Sequence, residues 1–278
     1  MDKPLEPGLY VVATPIGNLG DLSPRAEETL RSASLVLAED TRVTGKLLAR
    51  AGAKVPMLRY DDHSTDRDRA EIVGRLGGDA IALVSDAGTP LISDPGYKLV
   101  RAVREAGHEV RTVPGPCAAI AGLSIAGLPT DRFLFLGFLP AKAKARENAI
   151  AEIAAVRATL VLYEGGPRLA ETLEALAAQL GPRDAAVARE LTKLHEECVT
   201  GTLSDLAARY ADSIPKGEIV VVVGPPLERE AVGDEDLDRM LEDAMDELSP
   251  SRAAAEVAQR LGIPRKRAYA RALELSRK

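Results

Sequence analysis

Side chains suited to chemistry gather in a few short stretches of this sequence. Ser85–Gly96 reads SDAGTPLISDPG, placing two Ser-Asp pairs among two glycines and two prolines directly after the apolar run Ile81–Val84. Carboxylates there could ligate a metal, a glycine turn could cradle phosphate, and small residues could let the backbone approach a cofactor. A second stretch, ARELTKLHEE at 188–197, crowds Glu190, Lys193 and His195 together. These are residue types that accept a proton or hold a phosphate. On one strand Glu190 and Lys193 would face opposite sides, so both can serve one site only if the chain bends between them. Glu39-Asp40-Thr41-Arg42 and Tyr163-Glu164-Gly165-Gly166-Pro167-Arg168 add further ionisable groups.

Each stretch needs an element to position it. Four short apolar runs read as buried strands: Leu9–Ala13, Leu35–Ala38, Ala80–Val84 and Val110–Val113. They lead into Thr14–Asp21, Glu39–Arg42, Ser85–Gly96 and Pro114–Ala118. Helices are expected between them. Ser23-Pro24 supplies an N-cap and a first-turn proline, a helix runs through Leu47 and Leu48, and Tyr97–Ala106 closes on Gly107. Cys117–Ala126 reads as a small-residue helix. Strands alternating with helices make a largely parallel sheet, and such sheets bind ligands beyond the carboxyl ends of their strands. All four loops lie there. Asp94, just before Pro95 and the next helix, reads as that helix's N-cap rather than as a twin of Asp86.

Phe133–Phe138 breaks at Leu139-Pro140, which reads as a hinge closing an N-terminal α/β domain at 1–139. A second α/β domain is expected at 140–227, with strands at Thr159–Tyr163, Ala185–Ala188, Glu196–Thr200 and Ile219–Val223 and helices at Ala141–Val156 and Arg168–Leu180. Residues 228–278 read as helices only: Asp234–Leu248, Ala253–Leu261 and Arg265–Leu275, broken at Gly262-Ile263-Pro264. The last two make a helix-turn-helix or a plain hairpin.

Bulk properties narrow the function. A chain of 278 residues suits about two domains. Trp is absent and aromatics are 3% of residues, which argues against a stacking platform for single-stranded nucleic acid. Two cysteines, Cys117 and Cys198, suggest neither a zinc site nor a disulfide framework, and a reduced, cytosolic compartment fits. The N-terminus lacks a signal-peptide pattern, and no apolar run approaches membrane-helix length, so no membrane partner is expected. The net charge of −6 argues against nonspecific nucleic-acid binding by the whole surface. Its distribution is uneven: Glu228–Glu247 carries a net −8 and Ser249–Lys278 a net +6. That tail is a candidate nucleic-acid foot or a neutralising partner for its acidic neighbour. Neither G-x-x-x-x-G-K-[ST] nor G-x-G-x-x-G occurs, so phosphate-loop and dinucleotide readings fail. His63, His108 and His195 show no ligand spacing, and no metal is expected.

Six motifs come in order: TPIGNLGD at 14–21, AEDTR at 38–42, SDAGTPLISDPG at 85–96, VPGPCA at 113–118, FLGFLP at 135–140 and ARELTKLHEE at 188–197. Together they resemble the branch of the tetrapyrrole methylase superfamily that methylates small-subunit ribosomal RNA, over about residues 8–226 and the basic tail. The resemblance implies two α/β domains of the tetrapyrrole methylase type with S-adenosyl-L-methionine in the interdomain cleft, plus a small helical C-terminal extension. It implies 2′-O-methylation of a cytidine ribose in the decoding region of 16S rRNA, within the 30S subunit, by a homodimer.

By the same resemblance Pro15, Gly17, Ser85, Asp86, Ala87, Gly88, Thr89, Cys117, Ala118, Tyr163, Ala188 and Pro225 line the cofactor, with Asp86 foremost. The reaction must align oxygen, methyl and sulfur and remove a hydroxyl proton. Lys193, Glu190, Glu164 and Arg42 are the catalytic candidates, with Lys193 or a carboxylate as proton acceptor. Arg168, His63, Arg252, Arg265, Lys266, Arg267 and Arg271 are the RNA-binding candidates. The family commonly has Pro-His where this chain has Gly166-Pro167, so a mechanism needing that histidine is in doubt. A methylase of a tetrapyrrole or a diphthamide precursor, or a noncatalytic ribosome-assembly factor, are the other readings.

Overall fold

The computed structural model describes residues 4–226, 234–261 and 264–276. The chain divides into two compact units, Met1–Pro226 and Leu227–Lys278. The acidic residues between 227 and 233, and the expected break at Gly262-Ile263, lie outside the described residues.

The first unit opens with five strands: β1 (Gly8–Val12), β2 (Leu35–Ala38), β3 (Met57–Arg59), β4 (Ala80–Val84) and β5 (Val110–Val113). They pair in the order β3-β2-β4-β1-β5, every pair parallel. Helices α1 (Pro24–Ser32) and α2 (Thr41–Arg50) cover one face, where Leu30, Leu47 and Leu48 pack on Tyr10, Val12, Val36 and Val84. Helices α3 (Asp66–Arg75) and α4 (Tyr97–Glu105) cover the other, where Ile72, Leu99 and Val103 pack on Leu9, Leu37, Ile81 and Leu83. Burial on both faces is why these strands are continuous apolar runs. Ser23 caps α1 as expected, its hydroxyl accepting from the Ala26 amide. The sequence reading missed β3, an edge strand with all three residues exposed, and α3, which buries only Ile72.

The second sheet holds β6 (Phe133–Phe138), β7 (Thr159–Gly165), β8 (Asp184–Arg189), β9 (Glu197–Thr202) and β10 (Glu218–Val223), ordered β6-β7-β10-β8-β9. Only β6–β7 is parallel. One face packs Leu160, Leu162, Val187 and Val221 against α6 (Ala143–Ile153), α7 (Leu169–Leu180) and α8 (Leu203–Tyr210). The other packs Val161, Ala186, Ala188 and Val220 against α5 (Ala118–Ile125). Helix α5 thus leaves the first sheet at β5 and seats on the second, so closely that a Cβ on Gly122 would lie 2.8 Å from Val220 Cβ. The expected border at 139/140 therefore falls too late: β6 pairs with β7, and Leu139 sits in the second core.

The second unit packs α9 (Asp234–Met245), α10 (Pro250–Leu261) and α11 (Arg265–Leu275) around Leu237, Leu241, Val257, Ala268 and Ala272. Its opposite charges meet within the unit. Arg271 grips both Asp238 oxygens at 2.5 and 2.6 Å, and Arg267 reaches Asp234 at 2.9 Å. Of the RNA-binding candidates, Arg271 braces α11 to α9 and Arg267 is likewise engaged with α9. Arg252, Arg265 and Lys266 stay exposed.

Candidate functional site

Three loops of the first sheet are stitched together beyond the strand ends. Thr14 and Gly88 exchange backbone hydrogen bonds at 2.8 and 3.1 Å, and the Thr89 hydroxyl donates to the Pro116 carbonyl at 2.9 Å. Gly88 stands at φ +84, which favours glycine, and a Cβ there would meet Ile16 Cγ2 at 3.3 Å. The second sheet brings the carboxyl ends of β7 and β8. Because β10 runs antiparallel to both, its beginning joins them: Val220 pairs with Tyr163 and Ile219 with Arg189.

Between these two sets of loops lies a cavity of about 350 Å³, within the roughly 300–1,000 Å³ common for small-molecule clefts. From the first sheet come Ile16, Ala87, Gly88, Thr89, the segment Ile92 to Asp94, Cys117 and Ala118. From the second come Phe138, Tyr163, Glu190, Leu191, Lys193 and the segment Gly217 to Val220. The Tyr163 hydroxyl accepts from the Ala119 amide at 3.1 Å, clamping α5 to β7, and its ring packs edge-on against Phe135. Burial pushes the phenol's pKa up, so it stays neutral.

Two of these loops carry unusual backbone. Among the described residues, the only non-glycines with positive φ are Leu91 (75°), Ser93 (64°), Glu190 (51°) and Thr192 (64°). Left-handed conformations of non-glycine residues cost on the order of 1 kcal/mol or more each and concentrate at functional loops. At 190–193 they create the bend the sequence required. Lys193 N–H donates to the Glu190 carbonyl at 3.0 Å, and Lys193 Nζ reaches Glu190 Oε1 at 2.8 Å. The ammonium holds the Glu190 carboxyl below its usual range. Lys193 lies over Gly17, where a Cβ would sit 2.4 Å from Lys193 Cε. Asn18 Nδ2 donates to the Thr192 carbonyl at 3.1 Å, tying the loop after β1 to the loop after β8.

The expected site residues divide accordingly. Ala87, Gly88, Thr89, Cys117, Ala118, Tyr163, Glu190 and Lys193 line the cavity. Pro15 and Gly17 flank its Ile16 wall, and buried Ala188 lies beneath it, paired with Val220. Ser85 is buried behind the loop, its carbonyl accepting from Thr14 Oγ1 at 3.3 Å. Asp86 is not at the cavity: its Oδ1 accepts from the Asp40 amide at 3.0 Å, bracing the β4 loop to the start of α2. Pro225 is also outside the cavity, because β10 presents its beginning there and Pro225 follows its far end.

Glu164 and Arg168 are corrected as well. Glu164 is 1% exposed; it accepts from the Thr172 hydroxyl at 2.7 Å and the Gly165 amide at 2.8 Å, and meets Arg168 at 3.3 Å. Arg168 in turn donates to the Leu139 carbonyl at 2.7 Å. This pair braces β7 to α7 and to the end of β6. The departure at Gly166 also has a cause here: a Cβ would lie 1.7 Å from the Pro215 carbonyl oxygen. Arg42 is exposed and paired with Asp40 at 2.6 Å, away from the cavity, and His63 and His195 are exposed.

Sequence reasoning missed Asp94. It does not cap α4, whose N-cap is Gly96 at φ 135 with no side-chain bond. It lines the cavity instead, half-buried, and burial followed by the nearby Glu218 carboxylate raises its pKa, against a lowering hydrogen bond from Ser85. Asp-Pro-Gly before a helix carried the wrong signal; the left-handed Ser93 carried no signal at all.

The family of Tetrapyrrole (Corrin/Porphyrin) Methylases matches residues 8–207, and the RsmI C-terminal HTH domain matches 231–276, which favours helix-turn-helix over a plain hairpin for the tail. The ribosomal RNA small subunit methyltransferase I of Erythrobacter litoralis is 56% identical over 273 residues, covering 98% of this chain and 97% of that one. Its namesake from Mesorhizobium japonicum is 49% identical over 278 residues, covering 98% and 94%. The crystal structure of a diphthine synthase, 15% identical, aligns with a TM-score of 0.61 over 78% of this chain and 89% of that one, a likeness of fold alone. The chain belongs to the tetrapyrrole methylase family, in its ribosomal RNA small subunit methyltransferase I branch.

Proposed function

We propose that this chain is an S-adenosylmethionine-dependent methyltransferase of 16S rRNA, acting on the 2′-hydroxyl of a cytidine ribose in the decoding region, within the 30S subunit, as a cytoplasmic homodimer. The observation that carries this reading is the 56% identity to a ribosomal RNA small subunit methyltransferase I along nearly the whole chain. No helix among the described residues is long and apolar enough to cross a membrane.

The cavity's chemistry fits such a donor. Gly88 leaves room where a side chain would intrude, and Ala87, Gly88 and Thr89 offer backbone at close range. Ile16, Cys117, Ala118 and Tyr163 provide an apolar wall, with Pro15, Gly17, Ser85 and Ala188 behind it. The carboxylates of Glu190 and Glu218 favour a cation. Bound there, S-adenosylmethionine supplies a methyl group on a positively charged sulfur. Lys193 sits at the mouth of the second loop and binds the acceptor's ribose-phosphate, parting from Glu190 to do so. Arg42 and His63, exposed beyond the first sheet, and Arg252, Arg265 and Lys266 in the tail contribute to RNA binding by charge and hydrogen bonding.

Radiolabelled donor offered together with undermethylated 30S subunits, free 16S rRNA and a precorrin tests this reading. Label is expected in the 30S particle. Label in the precorrin alone would overturn the reading in favour of a tetrapyrrole methylase, and binding to 30S with no label anywhere would favour an assembly factor.

A further inference from the structure

Six side chains at the cavity can titrate or attack: Asp94, Cys117, Tyr163, Glu190, Lys193 and Glu218. Two are bound to each other, since Lys193 Nζ lies 2.8 Å from Glu190 Oε1. That pairing holds the Glu190 carboxyl below its usual range, which makes it a weak base. Tyr163 accepts from Ala119 and is held neutral. Glu218 is exposed at the start of β10. Asp94 differs from all of these. It is half-buried, no ion pair joins it to a cation among the described residues, and it does not cap the helix that follows.

The backbone holds Asp94 there. Leu91 and Ser93 are both left-handed, Gly96 at φ 135 starts α4, and Ser93 Oγ lies 3.0 Å from where a Cβ on Gly137 would stand. A chain that only needed to start a helix would not require this geometry.

We propose that Asp94 is the group that accepts the proton from the ribose hydroxyl as the methyl is transferred. The inference rests on the methyltransfer reading above. In the step, the hydroxyl oxygen forms the new bond to the methyl carbon and the carbon–sulfur bond breaks with its electron pair on sulfur. The hydroxyl proton passes to Asp94 and afterwards to water. A proton acceptor works best with a pKa moved toward the working pH. Burial moves Asp94 that way, opposed by a hydrogen bond from Ser85 and aided by the negative charge of Glu218 on β10, Asp86 in its own loop and Asp62 in the loop after β3. Glu39, at the end of β2, and Tyr163 are coupled to it as well, and the Lys193–Glu190 pair lies at the same cavity.

The test is the transfer rate on undermethylated 30S subunits, at saturating donor, as a function of pH, for the native chain and for Asp94→Asn and Asp94→Glu. Rates should rise with pH as the Asp94 carboxyl deprotonates. Asp94→Asn should lose about 100-fold in kcat, the general range of a lost proton acceptor, with KM for the donor within about threefold and the rising limb gone. Asp94→Glu should recover part of the rate on a shifted limb. An Asn variant with native kcat and limb, or one whose loss lies entirely in KM for the donor, overturns the proposal. Should the Asn variant fail to fold, the Glu variant decides: an unshifted limb at native rate overturns it. If the native chain itself transfers no methyl to rRNA, the methyltransfer reading fails instead, a distinguishable result.

Discussion

The loop after β4 and the loop after β8 reach the same cavity with similar backbone and opposite electrostatics. Each carries two left-handed non-glycine residues, Leu91 and Ser93 in one, Glu190 and Thr192 in the other. The first presents a carboxylate that burial makes reluctant to ionise; the second presents one that an ammonium at 2.8 Å keeps ionised. Strained backbone is thus common to both loops, while charge pairing separates them. In the proposed reading the Asp94 carboxylate takes the proton, and the Lys193 ammonium, not its Glu190 partner, holds the anionic acceptor.

Beyond the transfer rates of the Asp94 variants, four experiments would break or sharpen this comparison. Lys193→Ala should lower kcat/KM for 30S subunits about 10- to 100-fold through loss of acceptor positioning, with donor affinity nearly unchanged in equilibrium titration; full turnover would remove Lys193 from the site. Gly17→Ala should act in the same direction but less, about fivefold, because the new methyl displaces a flexible lysine stem rather than fixed backbone. Thr192→Gly should raise folding stability by about 1 kcal/mol in denaturant titration, since a β-branched residue at φ 64 is strained, while slowing turnover by loosening the bend.

The smallest effect is a pair of opposite pH dependences in stability. Glu190, depressed below its ordinary 4.5, adds stability that is present above that value and fades as pH falls through its lower folded pKa. Asp94, raised above its ordinary 3.8, does the reverse, so its ionisation costs stability above its folded pKa and not in acid. Glu190→Gln should thus be less stable than the native chain at neutral pH and equal to it in acid. Asp94→Asn should be more stable at neutral pH, with the gain vanishing in acid. Equal pH profiles for the two variants would dissolve the comparison.

Much of this was legible in the sequence. Val36, Leu37, Ile81 and Leu83 are buried by helices on both sheet faces, so their strands are solid apolar runs. Ser23-Pro24 announces α1 by its chemistry. The loop at 85–89 is legible because strand ends gather ligands, and the loop at 190–193 because it crowds ionisable residues. Other features depend on what no local pattern encodes. The direction of β10 decides that Glu218, not Pro225, meets the cavity. Tertiary burial turns Glu164 from a catalytic candidate into a brace. Left-handed backbone at Leu91 and Ser93 turns Asp94 from an apparent cap into a cavity residue. Charge counting offers two readings of the tail, a nucleic-acid foot or a neutralising partner, and only the fold pairs Arg271 with Asp238 and leaves Arg252 exposed.

The most direct test is the nucleoside that carries the transferred methyl. After reaction of the native chain with undermethylated 30S subunits, complete digestion and mass analysis of the 16S rRNA should find the label as 2′-O-methylcytidine from the decoding region. Label on a base, on ribosomal protein, or on free tetrapyrrole in place of that ribose would contradict the account.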